Sequence, residues 1–225
     1  MLMNESEQIC ERYKKLYGGV IYDVLEHFGY PDQVLSHDFS PLKDEIKLAG
    51  PAFTVKGTVS CEKNVEVRYR RLHMIREMTR PCIEVRDGGT PYPVAIYGEL
   101  SATSAAAHGA VGAIINGGTR DCSFLNAMGF PVFTRYRTPI EAFGRWQLMQ
   151  YQVPVRLDGE TRAEVIVNPG DFIFGDFDGL IVIPKALIMD VLTECERIVG
   201  IEDQAREEFA RGEDPVAVFE RHRRL

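Results

Sequence analysis

The chain has 225 residues, 45% hydrophobic and 26% charged, with 26 Lys and Arg against 33 Asp and Glu, a formal net charge of −7. This is the make-up of an ordinary globular protein with one sizeable core, and its acidic balance speaks against a broad phosphate-binding face, so nucleic acid is not an expected partner. The longest apolar stretches, such as Leu180 to Ile183, fall far short of the ~18 residues a membrane-spanning helix needs, and Glu5 and Glu7 stand where a secretion signal would be basic and apolar. Five dispersed cysteines with no CxxC pair suit reduced thiols, not a disulfide framework or structural zinc. The chain therefore reads as cytoplasmic, with no membrane partner.

Ile21, Val24, Leu25 and Phe28 fall at i, i+3, i+4 and i+7, the stripe of an amphipathic helix, with Gly29 as its stop before Pro31. Leu48 to Lys56 reads as a strand and Val65 to Met78 as a charged surface helix. From Cys82 the order becomes regular. A strand from Cys82 to Val85, a Gly88-Gly89 turn and a strand from Val94 to Ile96 lead into a helix from Glu99 to His108, closed by Gly109. A strand from Val111 to Ile115, a helix from Ser123 to Met128 ending at Gly129, and a strand from Pro131 to Thr134 follow. Strands alternating with short helices predict βαβ units and a largely parallel sheet. Between Val153 and Ile183, short apolar runs are punctuated by Asp158-Gly159, Pro169-Gly170-Asp171 and Asp178-Gly179, which predicts strands joined by tight turns. After Pro184 a long helix carries Leu187, Val191, Cys195, Ile198 and Val199 on one face. The expected division is an α/β domain over 1–184, with helices at its N-terminus, and a C-terminal helical tail over 185–225 that packs on the domain or on a neighbouring subunit.

Two stretches carry chemistry. In Tyr97-Gly98-Glu99-Leu100-Ser101-Ala102 an apolar strand runs directly into a helix of small residues, whose unpaired N–H groups and dipole suit a carboxylate or phosphate. A close helix–sheet contact is the other account of the small side chains. In Asn116-Gly117-Gly118-Thr119-Arg120-Asp121 a glycine-rich turn is expected at the carboxyl end of the next strand, where ligands of open α/β sheets collect. Arg120 offers a planar fork for a carboxylate, and Asp121 a hard oxygen ligand for a divalent cation. Arg86-Asp87-Gly88-Gly89 repeats much of that chemistry after another strand, so a surface ion pair or turn cap is the competing reading. Neighbouring strand ends would gather Glu99, Arg120 and Asp121 around one crevice suited to a small oxoacid. There a metal would polarise the keto oxygen and the enolate would be stabilised without a covalent intermediate. The rival Schiff-base route has Lys56 and Lys185 as candidates, both outside the crevice. The five histidines show no HxxxH spacing, and neither GxGxxG nor GxxxxGK[ST] occurs, so dinucleotide and P-loop chemistry lack their fingerprints. Arg135, Arg137, Arg145 and Trp146 belong either to the crevice rim or to a solvated face.

Asp23-Val24-Leu25, Leu48 to Val55, Gly98-Glu99-Leu100, Gly117 to Asp121, Phe130 to Phe133 and Gly175 to Gly179 resemble, in order, the signature blocks of one family. It is the family of the regulator of ribonuclease activity A and of the 4-hydroxy-4-methyl-2-oxoglutarate and 4-carboxy-4-hydroxy-2-oxoadipate aldolases. The resemblance runs from about Val20 to Pro184. It implies a swivelling β/β/α-type sandwich, ring-shaped homotrimers or homohexamers with sites at subunit interfaces, and a metal-dependent pyruvate aldolase. The aldolases carry an acidic residue, twenty intervening residues and then Arg-Asp, the spacing of Glu99, Arg120 and Asp121. By that likeness these three are the catalytic set. Asp121, partly through water, and Glu99, through a metal-bound water, serve Mg²⁺ or Mn²⁺. Arg120 holds the keto-acid end, and Gly98, Leu100 and Ser101 complete the substrate site, the Leu100 and Ser101 amides gripping the carboxylate.

The implied reaction is retro-aldol cleavage of a 4-hydroxy-2-oxo acid to pyruvate, with oxaloacetate decarboxylation through the same enolate. The family's namesake implies the alternative, a non-catalytic regulator that binds a ribonuclease through a ring surface. The aldolases also borrow a carboxylate from a neighbour's C-terminal region, for which Glu194, Glu196, Glu202 and Glu207 are the candidates. Pro81-Cys82-Ile83-Glu84, Asn116 and Ser101 depart from the family pattern and bear on the identity of the substrate.

Overall fold

In the computed structural model, which describes residues 3–89 and 93–223, the chain opens with helix α1 (Glu5–Tyr13). Asn4 and Glu7 form a reciprocal capping box at its start. Helix α2 (Gly18–His27) buries Ile21, Val24 and Leu25, the stripe expected from periodicity, and ends at Gly29 with φ of +87°. Strands β1 (Ser40–Pro41) and β2 (Leu48–Val59) precede α3 (Glu66–Arg76). Strands β3 (Cys82–Asp87) and β4 (Ala95–Tyr97) then lead to α4 (Glu99–Ala107), β5 (Ala110–Thr119), α5 (Cys122–Met128) and β6 (Val132–Arg137). Strand β7 (Trp146–Tyr151), which the sequence did not announce, follows, and the stretch of tight turns gives β8 (Val155–Asp158), β9 (Glu164–Val167), β10 (Phe172–Asp176) and β11 (Gly179–Ile183). A long α6 (Ile188–Ala210) and a short α7 (Pro215–His222) follow.

The main sheet runs β1-β6-β5-β3-β2-β10-β11, with β4 also on β5 and β7 also on β2, while β8 and β9 form a separate hairpin. Among the described strands only β2–β3, β3–β5, β4–β5 and β5–β6 pair in parallel. The largely parallel sheet expected from the βαβ alternation is therefore the centre of a mixed one. Its flanks are antiparallel: β7 and β10 each pair with β2, and the two-residue turn Phe177-Asp178 brings β11 back along β10.

A second correction concerns Asn116-Gly117-Gly118-Thr119, which is not a turn. These residues continue β5, with Gly118 opposite Ala95 on one side and Tyr136 on the other. A Cβ at Gly118 would come within 2.5 Å of the Tyr136 ring and 2.6 Å of the Val94 carbonyl. Glycine is used here for close strand approach.

Period-two alternation divides the core. On one face of the sheet, Ile83, Val85, Ile114 and Phe133 pack against Val155, Leu157, Val165 and Val167 of the β8–β9 hairpin. On the other face, Phe53, Val55, Ala113 and Ile115 meet Met74 and Ile75 of α3, Ala102 and Ala105 of α4 and Leu125 of α5. The layering is β/β/α. A third cluster joins α1, α2 and α6 to β10 and β11 through residues such as Tyr13, Leu25, Phe172 and Leu192. No helix among the described residues is long and apolar enough to cross a membrane.

Burial pushes the Cys10 and Cys82 thiols up to about 12; Cys195 is also buried, and Cys61 is exposed. Brief iodoacetamide treatment of the native protein at pH 8 is expected to label Cys61 first, because only a thiolate reacts quickly. Peptide mass spectrometry checks this, and early label on Cys10 or Cys82 would contradict the packing described.

Candidate functional site

Strands β4 and β5 end side by side, with Tyr97 paired to Thr119. Beyond these ends Gly98 caps α4, and Arg120-Asp121 leads into α5. A Cβ at Gly98 would meet Asp121 Oδ2 at 2.8 Å and Arg120 Cγ at 3.1 Å, so the missing side chain is what lets both lie over the start of α4. There the Glu99 N–H faces Asp121 Oδ2 at 3.4 Å, and Arg120 Nε stands 3.5 Å from the same oxygen. Asp121 is left-handed, with φ of 58° and ψ of 31°. Such a conformation costs a non-glycine residue on the order of 1 kcal/mol and is held where the surroundings impose it.

Gly98, Leu100, Ser101, Arg120 and Asp121 line one cavity of about 190 Å³, closed over by α3 and by Trp146 and Leu148 of β7. The stretch that repeats the Arg-Asp pair lies behind two lining rings, Tyr97 and Trp146, which Arg86 touches. Alternation along β3 turns Glu84 and Arg86 to this face, where they form an ion pair with both side chains 0% exposed. Asp87 itself caps the turn, its Oδ1 accepting from the Gly89 N–H at 3.1 Å, as the turn-cap reading has it. Arg86 also donates to the Ile96 carbonyl and lies 5.1 Å from the Tyr97 ring and 5.3 Å from the Trp146 ring. The Trp146 indole donates to the Gly88 carbonyl at 2.7 Å. Burial pushes the Tyr97 phenol well above its ordinary value, with the Glu84 charge adding, so it stays neutral.

Two expected participants are engaged elsewhere. The Glu99 carboxylate does not line the cavity; it accepts from Thr103 Oγ1 at 2.7 Å, one turn along α4. The Ser101 N–H, expected on a substrate carboxylate, donates to the Gly98 carbonyl at 3.1 Å. The Leu100 N–H has no protein acceptor among the described residues and is the open donor of the helix start.

Among the described residues no three of His, Cys, Asp and Glu stand together to hold a metal ion. Mg²⁺ and Mn²⁺ keep much of their water and settle for one or two carboxylates plus substrate oxygens. Asp121, with its side chain 41% exposed at the cavity mouth, fits such a hydrated cation and not a closed protein cage.

Of the rim candidates only Trp146 lines the cavity. Arg135 is on the other side of the sheet, 2.8 Å from Asp158, and Arg145 donates to the Glu141 carbonyl. Neither Lys56 nor Lys185 reaches the cavity, which removes the structural basis of the Schiff-base route. Of the α6 carboxylates, Glu194 pairs with Arg197, Glu196 with Arg12, and Glu202 with the Tyr17 hydroxyl, while Glu207 is exposed.

Sequence reasoning missed two arginines of α3 that line the cavity, Arg68 and Arg71. The signal was present: Val67, Arg71, Met74 and Ile75 fall at i, i+4, i+7 and i+8, so one charge interrupts the buried stripe.

A sequence profile described as Aldolase/RraA, RraA-like, matches residues 19–182. The chain belongs to the RraA-like family. A Halalkalibacterium halodurans relative, provisionally named 4-hydroxy-4-methyl-2-oxoglutarate aldolase, is 31% identical over 173 residues, 77% of this RraA-like chain and 76% of that one. The chain spans only 30% of the length of another curated relative, Legionella pneumophila DlpA. A crystal structure described as novel cellulases from gut-associated microbes matches with a TM-score of 0.81 at 30% identity, covering 91% of this chain and 89% of that one. Streptomyces coelicolor RraAS2, described as an unusual member of the RNase ES inhibitor RraA family, matches with a TM-score of 0.72 over 94% and 99% of the two chains. At 19% identity that second likeness is one of fold.

Proposed function

We propose that this RraA-like chain is a lyase that cleaves a 4-hydroxy-2-oxo acid to pyruvate with Mg²⁺ or Mn²⁺ as cofactor, and decarboxylates oxaloacetate as a side activity. The observation that carries the reading is the convergence of Arg120, Asp121 and the open Leu100 N–H on one small cavity. A 2-oxo acid presents a carboxylate and a keto oxygen on adjacent carbons, and these groups answer both. The carboxylate takes the Leu100 N–H at the positive end of α4. Arg120 lays its fork across keto and carboxylate oxygens, and Asp121 with water would hold the cation. When bound, the cation supplies Lewis-acid polarisation and positive charge for the enolate.

In the cleavage the C4 hydroxyl loses its proton and becomes a carbonyl, the C3–C4 electron pair passes into the enolate, and a proton added at C3 completes pyruvate. Arg120 remains cationic throughout, so its N–H groups stabilise the oxygen on which charge develops. Loss of CO₂ from C4 of oxaloacetate leaves the same enolate. A neutral glucan would give the arginines of this cavity nothing to neutralise, so the cellulase description of one relative has no counterpart here. Leu100, Phe124 and Met128 are 77%, 65% and 41% exposed on α4 and α5, which supports contact with a further copy of the chain, as the ring of three or six chains requires.

Pyruvate release from oxaloacetate tests the reading, measured with excess Mg²⁺, with Mn²⁺ and with EDTA, each corrected for the ion's own decarboxylation. Release with either ion and none with EDTA is expected. An unchanged rate in EDTA would end the metal dependence. No release from oxaloacetate or from any 4-hydroxy-2-oxo acid would favour the ribonuclease-binding alternative.

A further inference from the structure

We propose that Arg71 is a specificity-determining residue that receives a second anionic group of the substrate, at the end remote from Arg120, so that the preferred oxo acid bears a distal carboxylate. For the reaction this rests on the lyase reading above; for binding it does not.

Three arginines line the cavity, Arg68, Arg71 and Arg120, and a fourth, Arg86, lies against its Tyr97 and Trp146 rings. Arg86 is neutralised by Glu84, Arg120 stands 3.5 Å from Asp121, and Arg68 stands 3.8 Å from Glu141 and over the Phe143 ring. Arg71 has neither an ion pair nor a hydrogen bond among the described residues, although it carries five N–H donors. It is half-buried on the inward stripe of α3, between Val67 and Met74. Burial pulls its guanidinium below the ordinary value, with the charges of Arg86, Arg68 and Arg120 adding to the effect and that of Glu84 opposing it. A half-buried cation without a partner of its own is costly, and an apolar side chain would suit that stripe better. A ligand with one carboxylate, held at Arg120 and the Leu100 N–H, leaves the excess positive charge at Arg71 in place. A second carboxylate neutralises it, and α3 and the end of β5 present Arg71 and Arg120 from different walls of the same cavity.

Binding separates this assignment from turnover. 2-Oxoglutarate and 2-oxopentanoate differ only in a terminal carboxylate against a methyl group. Calorimetry in Mg²⁺ is expected to show wild-type protein binding 2-oxoglutarate roughly 30-fold more tightly, the worth of one charged hydrogen-bonded pair. Arg71→Gln should abolish that preference and leave 2-oxopentanoate binding within about twofold. Arg71→Lys should restore part of it, since the charge returns without the fork. The unfolding midpoint of Arg71→Gln should not fall, because the charge removed had no partner. Equal weakening of both acids, or no change in either, overturns the proposal. If the preference behaves as expected while neither oxaloacetate nor any 4-hydroxy-2-oxo acid is cleaved, the lyase reading fails and the assignment of Arg71 stands.

Discussion

Asp121→Asn is expected to lower pyruvate release from oxaloacetate in Mg²⁺ by at least ~100-fold, the scale of removing one charge-stabilising group from an active site. The unfolding midpoint should stay within about 2 °C, less than the shift for 1 kcal/mol in a chain of this size. Asparagine is the informative replacement for two reasons. Asp121 holds a left-handed backbone at φ of 58°, which asparagine tolerates far better than alanine does. Its amide oxygen also keeps the acceptor that faces the Glu99 N–H. The ion pair lost to Arg120 joins side chains 37% and 41% exposed at 3.5 Å, and pairs of that kind contribute less than ~1 kcal/mol. The substitution therefore removes the charge for a cation and little else. Because Asp121 would hold the cation, the loss should come with a higher Mg²⁺ concentration for half-maximal rate, which separates a cation role from a purely structural one. Retained activity within a few fold would remove Asp121 from the chemistry. A collapse of the unfolding midpoint would show that its role is structural.

The elements from Cys82 to Thr134 were legible because their ends are marked by chemistry that has one structural meaning. Gly109 and Gly129 end α4 and α5 with φ of +114° and +64°, a region other residues avoid. Gly117-Gly118 carries the same letter with another meaning, since both β4 and β6 crowd onto β5 there. A missing Cβ serves a turn or a close approach equally well, and only the neighbouring strands decide which. Strand β7 was illegible for a different reason. Its residues Gln147, Met149 and Gln150 have little strand preference. Its pairing with the far half of β2 is set by Trp146, whose ring fills the space that a side chain at Gly57 would need.

At the site, Arg120 and Asp121 were readable because a strand end fixes where the next two residues stand. The carboxylate of Glu99 was not, because its direction is a rotamer choice and Thr103, four residues on, offers a hydroxyl. Arg71 escaped because α3 is densely charged: a count of charges describes a solvated face, whereas the period of its few apolar residues places Arg71 inward.

Arg86→Met is expected to destabilise the fold by about 3–5 kcal/mol, the cost of leaving a buried carboxylate without its cation. For a chain of this length that corresponds to an unfolding midpoint lower by on the order of 10 °C. Glu84 is 0% exposed, and Arg86 is the group that neutralises it. The Ile96 carbonyl loses its donor in the same step, and the Tyr97 and Trp146 rings lose the cation between them. The partner test is Glu84→Met combined with Arg86→Met. Replacing both members of a buried pair with apolar side chains of similar volume removes the desolvation penalty along with the attraction, so the double variant should recover at least half of the loss. A double variant no better than the single one would place the cost in the Ile96 contact and the ring packing. In that case Arg86 would serve chiefly to fix the strand end from which Gly98 and the helix start are set.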